Sequence, residues 1–177
     1  MKKRLSFLGA ITLLGTSTTS LVACNNIPQY NEDELQQLKK ENQIYTNFQE
    51  IKENLEWIAP QEKPFNQVDN KYYFVVWRGN ENDVWEIVKF KNDTKLEDKK
   101  DKKIDFKSDY ELFLYKAPYF SVDLIINKIN NPVSIVQWRE YIKNKNYFKA
   151  VYRWNGDEQK LPDLIVDNNG NVKVNSE

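Results

Sequence analysis

The side chains able to do chemistry in this 177-residue chain are few, and one stands apart. Cys24 is the sole cysteine and directly follows Leu21-Val22-Ala23. A thiolate is a nucleophile, so this position is suited to covalent modification. With Cys24 modified, no thiol remains for a disulfide. The sequence holds no histidine. That removes the usual general base, every Ser-His-Asp or Cys-His arrangement and the Cys/His zinc sites. Catalysis would have to rest on carboxylates, Lys, Tyr or Ser. No cofactor is implied.

Three further groupings invite a chemical reading. Glu81, Asp83, Glu86, Asp109 and Glu111 could supply a carboxylate pair for glycoside hydrolysis. Nothing in their spacing favours that over exposed strand and turn positions. Asp167, Asn169 and Asn171 have the alternating oxygens of a calcium loop. The glycine that such a loop needs at its sixth position is replaced by Val172, and no bidentate Glu follows. A plain turn is therefore expected, with no metal. The third grouping is less ordinary. After residue 23 the chain has three arginines, and each adjoins a tryptophan: Trp77-Arg78, Trp138-Arg139 and Arg153-Trp154. Neighbours on a strand point to opposite faces, so a ring would have to meet a guanidinium from another segment. Arg offers planar stacking and paired hydrogen bonds that Lys cannot match. Trp77, Arg78, Trp85, Arg153 and Trp154 thus form a candidate face for a sugar or an anionic group. The plainer reading, which we favour, places the tryptophans in the core with Arg covering their edges.

The elements around these residues begin with a targeting segment. Lys2, Lys3 and Arg4 form a basic start, Leu5 to Leu14 is mostly apolar, and Thr16 to Ser20 is small and polar. This is the layout of a secretory signal. Its apolar core falls short of the ~20 residues a membrane-spanning helix needs. Leu21-Val22-Ala23-Cys24 resembles the lipobox of bacterial lipoproteins. That resemblance implies diacylglycerol on the Cys24 sulfur and cleavage just before it. One acyl chain holds a protein only reversibly, whereas two or more make a stable anchor. An uncleaved anchor with an ordinary buried Cys is the alternative. The expected organisation is a signal peptide over 1–23, a polar tether over 24–30 and one soluble domain over 31–177.

Three of the 26 basic residues fall in the signal, leaving 23 against 26 acidic ones. No basic footprint for nucleic acid results. The 5 Trp, 10 Tyr and 9 Phe are ample for a core. Asn31 is a plausible N-cap, with Glu32, Asp33 and Glu34 in the first turn. Ile44, Phe48, Ile51, Leu55 and Ile58 then recur at helical spacing, which predicts a helix ending by Ala59 before Pro60. Tyr72–Arg78 and Val84–Lys91 read as a hairpin, and Lys91–Lys103 as a solvated loop. Tyr110–Tyr115 reads as a strand, and Ser121–Ile129 as helix or strand. Asn131-Pro132 opens an expected helix to about Lys143, with Val133, Val136, Tyr141 and Ile142 partly buried. Tyr147–Trp154 reads as a strand. Leu164–Val166 and Val172–Val174 flank a turn in which Gly170 takes positive φ. The expected fold class is α+β: an antiparallel sheet of about five strands, with a long N-terminal helix and a second helix packed on it.

Tyr73-Phe74-Val75-Val76-Trp77-Arg78, Val151-Tyr152-Arg153-Trp154-Asn155 and Ile165-Val166-Asp167-Asn168-Asn169-Gly170 resemble recurring segments of mollicute lipoproteins of the spiroplasma type. The run from Leu13 to Cys24 is also similar to theirs. The resemblance implies a cell-surface lipoprotein and supplies no catalytic residues. The expected function is a non-catalytic binding or adhesion module, held at the outer face of the cell membrane by acyl chains on Cys24, with a surface protein or glycan as ligand. Two other classes stay open: a solute-binding accessory of a transporter, and a His-free, carboxylate-based surface hydrolase.

Overall fold

The structure, a computed structural model, describes residues 29–141 and 143–177. Leu21, Val22, Ala23 and Cys24, with the rest of the signal segment and most of the tether, lie outside the described residues. So does Ile142.

The described chain is mainly β, which overturns the α+β expectation. Ten strands form three antiparallel sheets. The first sheet joins β1 (Leu55–Trp57), β8 (Phe148–Trp154), β2 (Tyr72–Trp77) and β3 (Glu86–Lys91), in that order. The second is a meander of β4 (Asp101–Lys107), β5 (Tyr110–Lys116), β6 (Val122–Lys128) and β7 (Asn131–Gln137). The third is the hairpin β9 (Leu164–Val166) and β10 (Val172–Val174).

The expected N-terminal helix is corrected in detail. It is two short helices, α1 (Glu32–Glu41) and α2 (Gln49–Asn54). Asn31 and Glu34 form a reciprocal capping box at the start of α1. Asn42 ends it, with its backbone N–H and its side-chain Nδ2 both donating to Leu38 O. After α2 the chain becomes β1, because Leu55–Trp57 pairs with Trp154–Tyr152 of β8. Most of the apolar stripe is buried as its spacing implied, but Phe48 is exposed. Ile44, Ile51 and Leu55 enter one core and Ile58 another. The second expected helix is also corrected: Asn131–Gln137 is β7, an edge strand, followed by a single 3-10 turn, Trp138–Glu140. An edge strand tolerates Pro132 because the missing N–H need not join a ladder.

Two cores flank the first sheet. Tyr73, Val75 and Trp77 of β2 face the meander, where they meet Leu112, Leu114, Leu124 and Ile126. Phe74 and Val76 face the other way, toward Leu35 of α1, Ile51 of α2, and Leu164, Val172 and Val174 of the β9–β10 hairpin. Period-two alternation thus fills two layers from one strand. A bulge between β2 and β8 lies at Val76/Trp77. It turns Phe148 into the inter-sheet core while Ala150, two residues on, faces the opposite one.

Candidate functional site

The five residues of the expected face do not share a surface. Trp77 is buried between the two large sheets, and its Nε1 donates to Asp105 Oδ2 at 3.0 Å. Trp154 is buried in the opposite core, and its Nε1 donates to Asp157 O at 2.8 Å. Both indoles are structural. The two arginines are far apart as well. Arg153 pairs with Tyr73 near the start of β2, whereas Arg78 follows its end.

One ring–guanidinium contact does form among these residues. The Arg78 guanidinium lies 4.4 Å from the Trp85 ring centroid. The pair spans the β2–β3 connection of one hairpin. Arg78 Nε donates to Asn146 O at 2.5 Å, and its backbone N–H donates to Tyr147 O at 3.0 Å. Trp85 is seated against Gly170, where a Cβ would come within 2.9 Å of the indole. Gly170 has φ +78°, as expected for this turn. Arg78 therefore ties the β2–β3 connection to the Asn146-Tyr147 segment, with Trp85 against its guanidinium.

Arg153 sits in a compact ionic cluster. Its Nη2 donates to Glu56 Oε2 at 2.6 Å, and Asn155 Nδ2 donates to the same oxygen at 3.0 Å. Lys39 Nζ bridges Glu56 Oε1 at 2.5 Å and Glu62 Oε1 at 2.7 Å. Burial alone would raise the Glu56 pKa, but hydrogen bonds from Lys39, Asn155 and Arg153 outweigh it and hold the carboxyl at about 2. Two cations and two anions balance here, so the cluster offers a ligand no net charge.

The remaining sequence candidates are occupied within the fold, apart from Asp109, whose backbone carbonyl accepts from Ile129 N in the turn beside β5. Glu86 pairs with Lys107, and Glu111 with Lys103. Glu81 accepts from Asn146 Nδ2, and Asp83 accepts from Asn80 N. Asp167 accepts from Asn169 N, Asn171 N and Asn171 Nδ2, which uses its oxygens inside the turn.

Two features escaped the sequence. Asp123 of β6 is 4% exposed, and burial raises its pKa against the pull of Arg139. Arg139 donates to it from Nε at 2.9 Å and from its backbone N–H at 3.2 Å. The alternation around Asp123 gave no hint, since its partner is 16 residues away. The second is an open cleft of about 460 Å³, lined by Asn42, Tyr45, Asn47, Tyr152, Asn171 and Lys173. Tyr45 is 88% exposed there. Its side chains come from three separate segments of the described chain, which no local pattern reveals.

The chain is similar to an uncharacterized protein, ORF1, of Spiroplasma virus SpV1-R8A2 B. The two are 27% identical over 150 residues, or 83% of this chain. The match spans 14% of the viral protein's length. It is in keeping with a spiroplasma-related origin and does not identify a lipoprotein family. No family model matches the chain, and no solved structure matches it.

Proposed function

We propose that this protein is a spiroplasma-type surface lipoprotein, anchored in the outer face of the cell membrane through acyl chains on Cys24, whose domain binds a surface protein or glycan without turning it over. The observation that carries the reading is the run Leu21-Val22-Ala23-Cys24 behind a basic, apolar and small-polar segment. The geometry adds support for binding. The cleft beside Tyr45 combines an exposed aromatic ring with the side-chain amide of Asn47 and the amide oxygens of Asn42 and Asn171, whose Nδ2 groups are bonded to Leu38 O and Asp167 Oδ2. Such rings and amides suit the faces and hydroxyls of a sugar. The ionic side chains near the two large cores are already paired with one another.

Metabolic labelling with palmitate tests the anchor. The wild-type chain is expected to take up label and to remain with the membrane fraction, and Cys24→Ser is expected to lose both. An intact Met1 or an unmodified Cys24 by mass spectrometry overturns the anchor. A glycan array probed with the mature chain tests the module, since retention without product is binding and released product is hydrolysis.

A further inference from the structure

We propose that the β5–β6 turn, Tyr119-Phe120 with the cations around it, is a contact surface for an anionic lipid bilayer. The proposal rests on the anchor reading for its orientation, but its geometry stands on the described residues.

The turn itself is unusual. Phe120 N donates to Ala117 O at 3.2 Å, closing a four-residue turn. Pro118 holds its second position and Tyr119 its third, with φ +66°. Proline followed by positive φ is the pattern of a type II turn, whose third position favours Gly or Asn. Tyrosine there is strained. Tyr119 itself gains no packing in return, because it is 100% exposed, and Phe120 beside it is 49% exposed. A strained aromatic tip held out into solvent points to a partner outside the fold.

The tip is firmly mounted. Lys116 Nζ donates to Phe120 O, and Val122 N donates to Asn66 Oδ1 at 3.0 Å. The Arg139 guanidinium lies 5.2 Å from the Phe120 ring centroid. Two hollows of about 420 and 120 Å³ adjoin the tip. Lys63, Lys95, Lys116 and Arg139 line them; Arg139 is bonded to Asp123 and Lys116 lies 3.4 Å from Asp98, which leaves Lys63 and Lys95 as the cations with no carboxylate partner among the described residues. Exposed aromatic rings ringed by Lys and Arg suit the interface of a bilayer with anionic headgroups.

The path of the chain sets which end faces the membrane. Tyr30 N donates to Gln61 Oε1 at 2.6 Å, and Gln61 Nε2 donates to Tyr30 O at 2.9 Å. Gln61 is two residues before Lys63, and its 3-10 turn contacts the turn that carries Arg139. The chain therefore enters the fold beside this patch. From Cys24 to Tyr30 an extended chain reaches about 20 Å at most, so an anchored Cys24 keeps this end at the bilayer. The loop bearing Val84 lies at the other end of the meander, since Gly79 abuts Tyr110 at the start of β5 while the tip follows its finish.

The test uses the full acylated chain in vesicles of phosphatidylglycerol and phosphatidylcholine containing spin-labelled quencher lipids. Tyr119→Cys or Val84→Cys carries a fluorophore, both positions being exposed enough to leave folding intact. At least fivefold stronger quenching at position 119 than at 84 is expected, falling when phosphatidylglycerol is omitted. Equal quenching at both positions, or none, on a chain whose Cys24 is acylated overturns the proposal and leaves the anchor standing. If mass spectrometry finds no lipid on Cys24, the anchor reading fails. The labelled chain is then added to the same vesicles, where quenching at 119 supports the tip and its absence overturns it. Crosslinking of position 119 to a protein in whole cells, without quenching, also overturns it in favour of a protein partner.

Discussion

Glu56 shows how a residue can look functional and be structural. Its carboxyl is drawn down to about 2 from an ordinary 4.5. A depressed carboxylate stabilises the fold above its unfolded pKa, and that stability is lost as pH falls through the folded value. The window is therefore from about pH 5 down to about pH 2. The side chain is 26% exposed, and after screening by solvent the contribution is about 1–2 kcal/mol. Urea denaturation of the wild type is expected to lose that much between pH 5 and pH 2.5. Glu56→Gln is expected to lose about 1–3 kcal/mol at pH 7, because Arg153 is left without its anion and Lys39 keeps only Glu62. It is also expected to flatten the acid dependence. An unchanged pH profile in Glu56→Gln would assign the acid sensitivity to another group. None of this was legible in sequence, since Lys39, Glu56, Glu62, Arg153 and Asn155 come from four separate segments. The Arg78–Trp85 contact was not legible either: the scarce arginines drew attention through their tryptophan neighbours, but the ring that Arg78 meets is Trp85, not the adjacent Trp77.

At the level of elements, what the sequence showed depended on which face each strand buries. The hairpin β2–β3, the strands β5 and β8, and the β9–β10 turn were readable because β-branched and aromatic residues crowd them. β4 was hidden. Its Asp101–Lys107 run is rich in Lys and Asp, as suits an edge strand that must not recruit another chain. The region from 31 to 58 misled in the opposite direction. Spacings of three and four report burial on one side, and a chain that bends around a sheet can satisfy them without staying helical. Thr46, 1% exposed, accepts from Phe48 N in the break between α1 and α2. Pro132 after Asn131 mimicked a helix start, while the edge position of β7 made a strand acceptable. A glycine controls how the two large sheets approach. A Cβ on Gly79 would lie 2.4 Å from the Tyr110 ring. Gly79→Ala is expected to cost about 1–3 kcal/mol by urea denaturation. In a Tyr110→Gly background, which removes both the ring and the Tyr110 Cβ that would lie 2.7 Å away, less than half of that cost is expected to remain. An equal cost in both backgrounds would place the strain in the backbone rather than against that ring.

For the whole molecule, the decisive feature is that β2 and β8 are covered on both sides. Tyr73, Val75, Phe148 and Val151 face the meander, and Phe74, Val76, Ala150 and Tyr152 face the helices and the small hairpin. Exposing either strand therefore means losing both cores at once. The outer strands differ. β1 is three residues long, and β4 is an edge strand with Asp101 and Lys103 in water. Strands of that kind open locally, with free energies well below the global value. Native-state hydrogen exchange is expected to find the amides of Val75, Val76, Val151 and Tyr152 slowest, opening only with global unfolding. Amides of β4 that bond to β5 are expected to exchange at least about 100-fold faster. If β4 proved as slow as β8, the meander and the central sheet would form one cooperative unit to its outermost strand. The polarity of the molecule would then also change in meaning. A rigid body would carry the Tyr119 end and the Arg78–Trp85 end as fixed opposite poles. With a β4 that opens alone, the slow centre holds the two ends apart while the outer meander strand can give way without disturbing either.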